Sequence, residues 1–125
     1  AKRNLTYIFI SHDLAMVRKS CNRIAVMYMG RIVELAKNEI LFDKCGHPYT
    51  RTLLCTIPTL DKNPYDKNLY LMDGEPPDPT EIGTECSFKS RCPHFKNNKK
   101  GSTDMGLIEI QSGHWVDKCG VDCGK

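Results

Sequence analysis

No apolar run in this chain approaches the ~20 residues that a membrane-spanning helix needs. A secretory signal is missing too: Ala1-Lys2-Arg3-Asn4 leads into a short β-type segment and not into a long apolar region, which argues against secretion. No initiator Met and no lead-in precede that segment, which predicts a piece of a longer chain. Charge of one sign does not dominate. A net charge of +3 is too weak to argue for nucleic acid. No internal repeat is found.

The 125 residues suffice for one modest domain or for one and a half small ones. Charged residues at 26% and hydrophobic ones at 40% fit a soluble globular protein with a thin core. Cysteine is plentiful, with seven. The odd count, without a signal region, argues against a full disulfide framework and for reduced thiols or metal ligands. Cys21, Cys45 and Cys55 lie among apolar residues, whereas Cys86, Cys92, Cys119 and Cys123 lie in the polar C-terminal half.

Leu5–Ile10 reads Leu-Thr-Tyr-Ile-Phe-Ile, the near-continuous pattern of a strand buried on both faces of a sheet. It stops at Ser11-His12-Asp13, where Ser11 or Asp13 can cap a following helix. Leu14, Val17 and Cys21 are spaced for a short amphipathic helix over 13–21. Arg23–Met29, Gly30 and Arg31–Leu35 predict a β-hairpin. Asn38 is placed to cap a short helix through Phe42, and Pro48 to open a helix that runs to about Thr56 and ends at Pro58. Residues 61–80 are rich in Pro, Asp and Asn and read as a linker or extended loop, with one short strand at Leu69–Met72. From Cys86 onward periodicity is weak, so cysteines more than core packing are expected to organise that part. Trp115 is expected to anchor it, and His94 and His114 read as surface or loop histidines.

His12 sits just past a buried strand and just before a helix, the edge where open α/β sheets bind ligands and where helix N-termini attract phosphate. Alone, a histidine at a strand end is more often one simply hydrogen-bonded in a loop. The longer pattern is more specific. Tyr7-Ile8-Phe9-Ile10-Ser11-His12-Asp13-Leu14, then Val17-Arg18, then Arg23–Glu34, resembles the switch-histidine region of ABC ATPases, above all the oligopeptide and dipeptide importers. His47-Pro48-Tyr49-Thr50, Leu53-Leu54 and Ile57-Pro58 are similar to the signature of the extension that follows the ATPase domain in those subunits. The resemblance implies that His12 is catalytic, hydrogen-bonding the γ-phosphate of ATP and holding the attacking water in register. An imidazole N–H suits that task, because it can stabilise the charge in transfer.

The chain lacks a G-x-x-x-x-G-K-[ST] phosphate loop, a Ser-Gly-Gly-Gln-type signature and an apolar strand ending in Asp-Glu. The resemblance therefore implies that ATP and Mg²⁺ belong to the parent protein and that the isolated chain is inactive. It also implies transmembrane permease subunits and a second ATPase subunit, identical or related, as partners. Peptide is handled indirectly and nucleic acid not at all. The placement is cytoplasmic, peripheral on the inner face of the membrane. The fold class expected is α+β: the end of an α/β P-loop ABC domain over 1–42, with its switch-histidine loop, and a cysteine-containing extension over 43–125.

Cys86, Cys92, Cys119 and Cys123 follow the pattern C-x5-C, a gap of 26 residues, then C-x3-C. Zinc ribbons use tighter spacings; four thiolates also hold iron–sulfur clusters; a Cys86–Cys92 disulfide or plain structural thiols are further readings. Cys86–Pro93 and Gly113–Cys119 are similar to the cysteine motif of peptide-importer ATPases, some of which hold a [4Fe–4S] cluster. Lys99 stands where that motif has another Cys, leaving Cys123 as the substitute ligand or the set incomplete. A small Zn²⁺- or Fe–S-binding module unrelated to ATPases is the competing reading. The basic residues Lys89, Arg91, Lys96, Lys99 and Lys100 read as a solvated loop or as a contact with acidic lipid headgroups. A segment as apolar as Leu5–Ile10 with open strand edges should drive self-association. Sedimentation velocity on this chain should show concentration-dependent oligomers, and a clean monomer at every concentration would oppose this.

Overall fold

The computed structural model describes residues 4–57, 78, 80, 88, 91, 92 and 106–118. Their elements run α1 (Leu14–Ser20), β1 (Arg23–Tyr28), β2 (Arg31–Lys37), α2 (Asn38–Lys44), α3 (Pro48–Cys55), β3 (Leu107–Gln111) and β4 (His114–Asp117). The four strands form one antiparallel sheet in the order β1-β2-β4-β3. Helices with an antiparallel sheet make a mixed α+β arrangement. Among the described residues no helix is long and apolar enough to cross a membrane.

The β1–β2 hairpin forms where the sequence predicts it. Met29 (φ 50°) and Gly30 (φ 77°) are both left-handed, the two-residue turn whose twist matches that of the strands. Along β1 the alternation is strict: Ile24, Val26 and Tyr28 point inward while Arg23, Ala25 and Met27 are exposed. Strand β2 breaks the alternation. Val26 pairs with Glu34 but Met27 pairs with Ile32, so Val33 is an extra residue in a β-bulge. Val33 and Glu34 are therefore buried in succession, and Glu34 shares the core side with Val26 and Ala36.

The core lies between this sheet and the helices. Val17, Leu41, Phe42, Leu54 and Ile57 pack against Ile24, Val26, Tyr28, Val33 and Ala36, joined by Cys45, Phe88 and Cys92. Helix α1 is capped as expected: the Asp13 carboxylate accepts from the N–H groups of Ala15 (3.0 Å) and Met16 (3.2 Å), and Ser11 Oγ accepts from Asp13 N–H (3.0 Å). Helix α3 begins at Pro48 in its first turn, as expected.

Four expectations change. Leu5–Ile10 belongs to no strand and is exposed, with Ile8 and Ile10 both at 92%. A strand needs a hydrogen-bonded neighbour, and the sheet of the described residues closes on β1 and β3 without taking in this segment. Asn38 does not cap α2; Lys37 holds that position and Asn38 begins the helix, its side chain turned to α1. The C-terminal part is not left to cysteines: β3 and β4 form a hairpin, and β4 pairs with β2 through Glu34↔Val116 and Leu35↔Trp115. That pairing draws strands from both sides of the 42/43 division into one sheet. Trp115 is only partly buried, because it lies on the face opposite Val116, which is fully buried. The expected strand at Leu69–Met72 and most of the linker lie outside the described residues.

Gly46 lies close against the sheet at Val116. A Cβ there would meet Val116 Cγ2 at 2.7 Å and Cγ1 at 3.3 Å. Gly46→Ala should therefore lower the free energy of unfolding by about 1–3 kcal/mol, the usual range for overpacking a core. A urea-unfolding midpoint checks this, with Gly106→Ala, which meets nothing within 4 Å, as the neutral control.

Candidate functional site

Among the described residues, two places hold the chemistry-bearing side chains. The first surrounds His12. The imidazole is exposed in the loop before α1. It borders a small depression of about 190 Å³, lined by His12, Asp13, Leu14 and Ala15 on one side and by Leu53, Thr56 and Ile57 at the end of α3 on the other. The Asp13 carboxylate already occupies the first free N–H groups of α1, so that helix end does not offer them to a phosphate. What this edge presents outward is the imidazole itself.

The second place is buried, and sequence reading missed its central members. Glu34 is 0% exposed. Its Oε1 accepts from the Gly46 N–H at 2.7 Å and its Oε2 from the His47 N–H at 3.1 Å. His114 Nε2 lies 2.6 Å from Oε1. Since both carboxylate oxygens already accept backbone N–H groups, the imidazole is the donor in this third bond. Among the described residues His114 Nδ1 has no hydrogen-bond partner, so the bond to Glu34 is the one that orients the ring. The surface or loop reading of His114 is thus corrected: it is 1% exposed, on the inward side of β4. The available signal was a lone glutamate inside the apolar strand Arg31–Leu35, since a charge is not buried without partners.

His47 is buried beside this knot and caps α3, with Nδ1 accepting from the Tyr49 N–H at 3.0 Å. Burial lowers its pKa from 6.5 to about 4, the nearby Glu34 opposing and Arg51 assisting the shift. The neutral ring is the form that can accept at Nδ1 while carrying its proton at Nε2. Tyr49 packs its ring against Tyr28 (centroids 4.6 Å apart) and Phe88 (5.4 Å). Burial raises its pKa above 10.0, Tyr28 adds to the rise and Arg91 opposes it.

Of the four cysteines read as metal ligands, Cys92 is buried in the apolar core. Cys86, Cys119 and Cys123 lie outside the described residues. Among the described residues no group of three or more His, Cys, Asp or Glu side chains is placed to hold a metal ion. Nor do the described residues around His12 form a phosphate cradle.

The geometry places a capped helix after an exposed Ser-His-Asp loop, and a histidine-capped Pro-Tyr helix against a β-hairpin. The family described as the oligopeptide/dipeptide transporter C-terminal region matches residues 33–98, and the chain belongs to it. Among proteins, the chain is similar to the oligopeptide transport ATP-binding protein AppF of Bacillus subtilis, at 42% identity over 94 residues, 74% of this chain and 29% of the relative. It is also similar to a protein of Brucella ovis named as a peptide import ATP-binding protein, at 40% identity over 111 residues, 89% of this chain and 34% of the relative. A third, YkfD of Bacillus subtilis, named for oligopeptide transport and ATP binding, is 38% identical over 116 residues, 92% of this chain and 35% of the relative. The chain spans about a third of the length of the curated relatives it matches. None of these likenesses supports a metal-binding module unrelated to ATPases.

The buried knot has a pH signature. His47 is neutral in the folded state down to about pH 4, whereas in the unfolded chain it protonates near 6.5. The unfolded state therefore binds the extra proton between those values. Stability is full above pH 6.5 and falls as pH drops toward 4, by up to about 3 kcal/mol from this group. His47→Asn, which keeps a side-chain acceptor for the cap, should flatten that slope in urea titrations at pH 4 to 7. Glu34→Ala should cost about 3–5 kcal/mol at pH 7, as expected when one partner of a buried charged network is removed.

Proposed function

We propose that the chain is the C-terminal part of the ATP-binding subunit of a peptide-importing ABC transporter. In that assembly His12 contacts the γ-phosphate of ATP held by the rest of the ATPase, and residues 43–125 form an extension that docks beside it. The observation that carries this reading is the exposed Ser11-His12-Asp13 loop, ahead of a helix already capped by Asp13 and therefore free to present the imidazole outward. Membership in the transporter C-terminal family and similarity to peptide import ATP-binding proteins support it.

ATP and Mg²⁺ are then ligands of the whole subunit. The partners are a second ATP-binding subunit and the transmembrane permeases, and the site of work is the cytoplasmic face of the membrane. Peptide is moved by the permeases, and this chain affects it only through hydrolysis. His12 supplies a hydrogen bond that strengthens as negative charge gathers on the transferring phosphoryl oxygens. The exposed apolar residues Leu5, Ile8 and Ile10 fit a segment covered by neighbouring strands of the complete ATPase, and they favour self-association when it is absent.

In the full-length subunit, His12→Ala should lower steady-state ATP hydrolysis about 10²–10³-fold, the loss typical of removing one donor aimed at the transition state. Nucleotide binding, followed by fluorescent ATP-analogue titration, should change little. The 125-residue chain alone should show no turnover. His12-dependent hydrolysis by the isolated chain, or unaltered hydrolysis in the full-length His12→Ala variant, would overturn the proposal.

A further inference from the structure

Helix α1 carries His12 at its entrance, yet it is short, from Leu14 to Ser20, and Val17 is its one buried residue. A helix of this length is not stable by itself, and its position depends on what grips it. Side chains of α2 hold its C-terminal end, and α3 lines the depression in front of its N-terminal end. At its C-terminal end the Asn38 side-chain amide donates one hydrogen bond to the Arg18 carbonyl and another to the Cys21 carbonyl, both at 2.6 Å. Both N–H groups of that amide are thereby used, and two carbonyls that a helix end leaves without partners are satisfied from another element. The Asn38 backbone N–H also donates to the Asn22 carbonyl at 2.8 Å. Arg18 adds a contact, its guanidinium carbon 4.9 Å from the Phe42 ring centroid. At the N-terminal end, Leu53, Thr56 and Ile57 face His12, Asp13, Leu14 and Ala15 across the shared depression.

We infer that Asn38 and Leu53 are positioning residues for His12: Asn38 ties down the C-terminal end of α1, Leu53 walls the depression that the imidazole borders, and together they set where the imidazole stands. The inference rests on the nucleotide-facing role proposed for His12. It makes the extension's first helix, which opens at His47-Pro48-Tyr49, part of the ATPase centre's support. Placement within a fraction of an ångström governs transition-state contacts more than ground-state binding. Loosening that support should therefore lower kcat and leave KM for ATP nearly unchanged.

The test uses the full-length subunit with five variants: Asn38→Ala, Leu53→Ala, His12→Ala, and each of the first two combined with His12→Ala. Asn38→Ala and Leu53→Ala should each lower kcat about tenfold, with KM for ATP changed less than about twofold. On the His12→Ala background neither should lower kcat further, because residues that act through one group are not additive. Equal losses with and without His12, or no loss of kcat from either single variant, would overturn the inference while leaving the role of His12 intact. Unaltered hydrolysis in His12→Ala alone would instead overturn the reading beneath it. Asn38 lies on the half-buried surface and Leu53 on the rim of the depression, so a folding failure in one leaves the other to decide. Circular dichroism melts identify such a failure.

Discussion

A carboxylate with no exposed surface, that of Glu34, sets the terms for much of the described structure. A charged group does not stay out of water unless donors surround it, and the donors here come from two remote segments: the backbone at Gly46 and His47, and the ring of His114. Each bond fixes something else. The first two hold the turn between α2 and α3, and so the point and direction at which α3 starts. The third holds β4 against β2. The bulge at Val33 is what turns Glu34 inward, and the missing side chain at Gly46 is what lets the turn come close enough to donate. Remove the bulge, and the glutamate would face water with nothing to tie.

His47, Pro48 and Tyr49 form a structural joint by three separate means. The buried imidazole, kept neutral, ends the row of free N–H groups of α3. The proline starts the helix with a backbone angle already suited to it. The tyrosine closes an aromatic group with Tyr28 and Phe88, bringing the strand β1, the helix α3 and Phe88 together.

The parts of the fold legible in the sequence are those fixed by local chemistry. Asp13 before an apolar-spaced run, the Met29-Gly30 turn between alternating strands, and Pro48 ahead of Leu53-Leu54 each act within a few residues, and each is found in place. What was not legible depends on distance along the chain. Strand β3 has four of its five residues exposed, so its side chains show no alternation, and it becomes a strand only by pairing with β4. His114 looks like any loop histidine until Glu34, 80 residues away, is beside it. Asn38 sits where a cap is expected, but the carbonyls of α1 compete for its amide and win. Leu5–Ile10 carries a pattern suited to a covered strand, and the sheet of the described residues does not cover it. For the candidate site, the motif located His12, while its surroundings at Leu53 and Ile57 came only from the fold.

The sheet order β1-β2-β4-β3 has a consequence for the timing of synthesis. On the ribosome, the hairpin of β1 and β2 and the helices after it emerge well before the last strands. During that interval Glu34 has its two backbone partners but lacks the imidazole, and the edge of β2 that β4 will cover stands open. The nascent chain is thus held in an unfinished state until residue 114 clears the exit tunnel. A chain ending before residue 114 would keep the β1–β2 hairpin and the helices after it but leave a buried acid without its third partner.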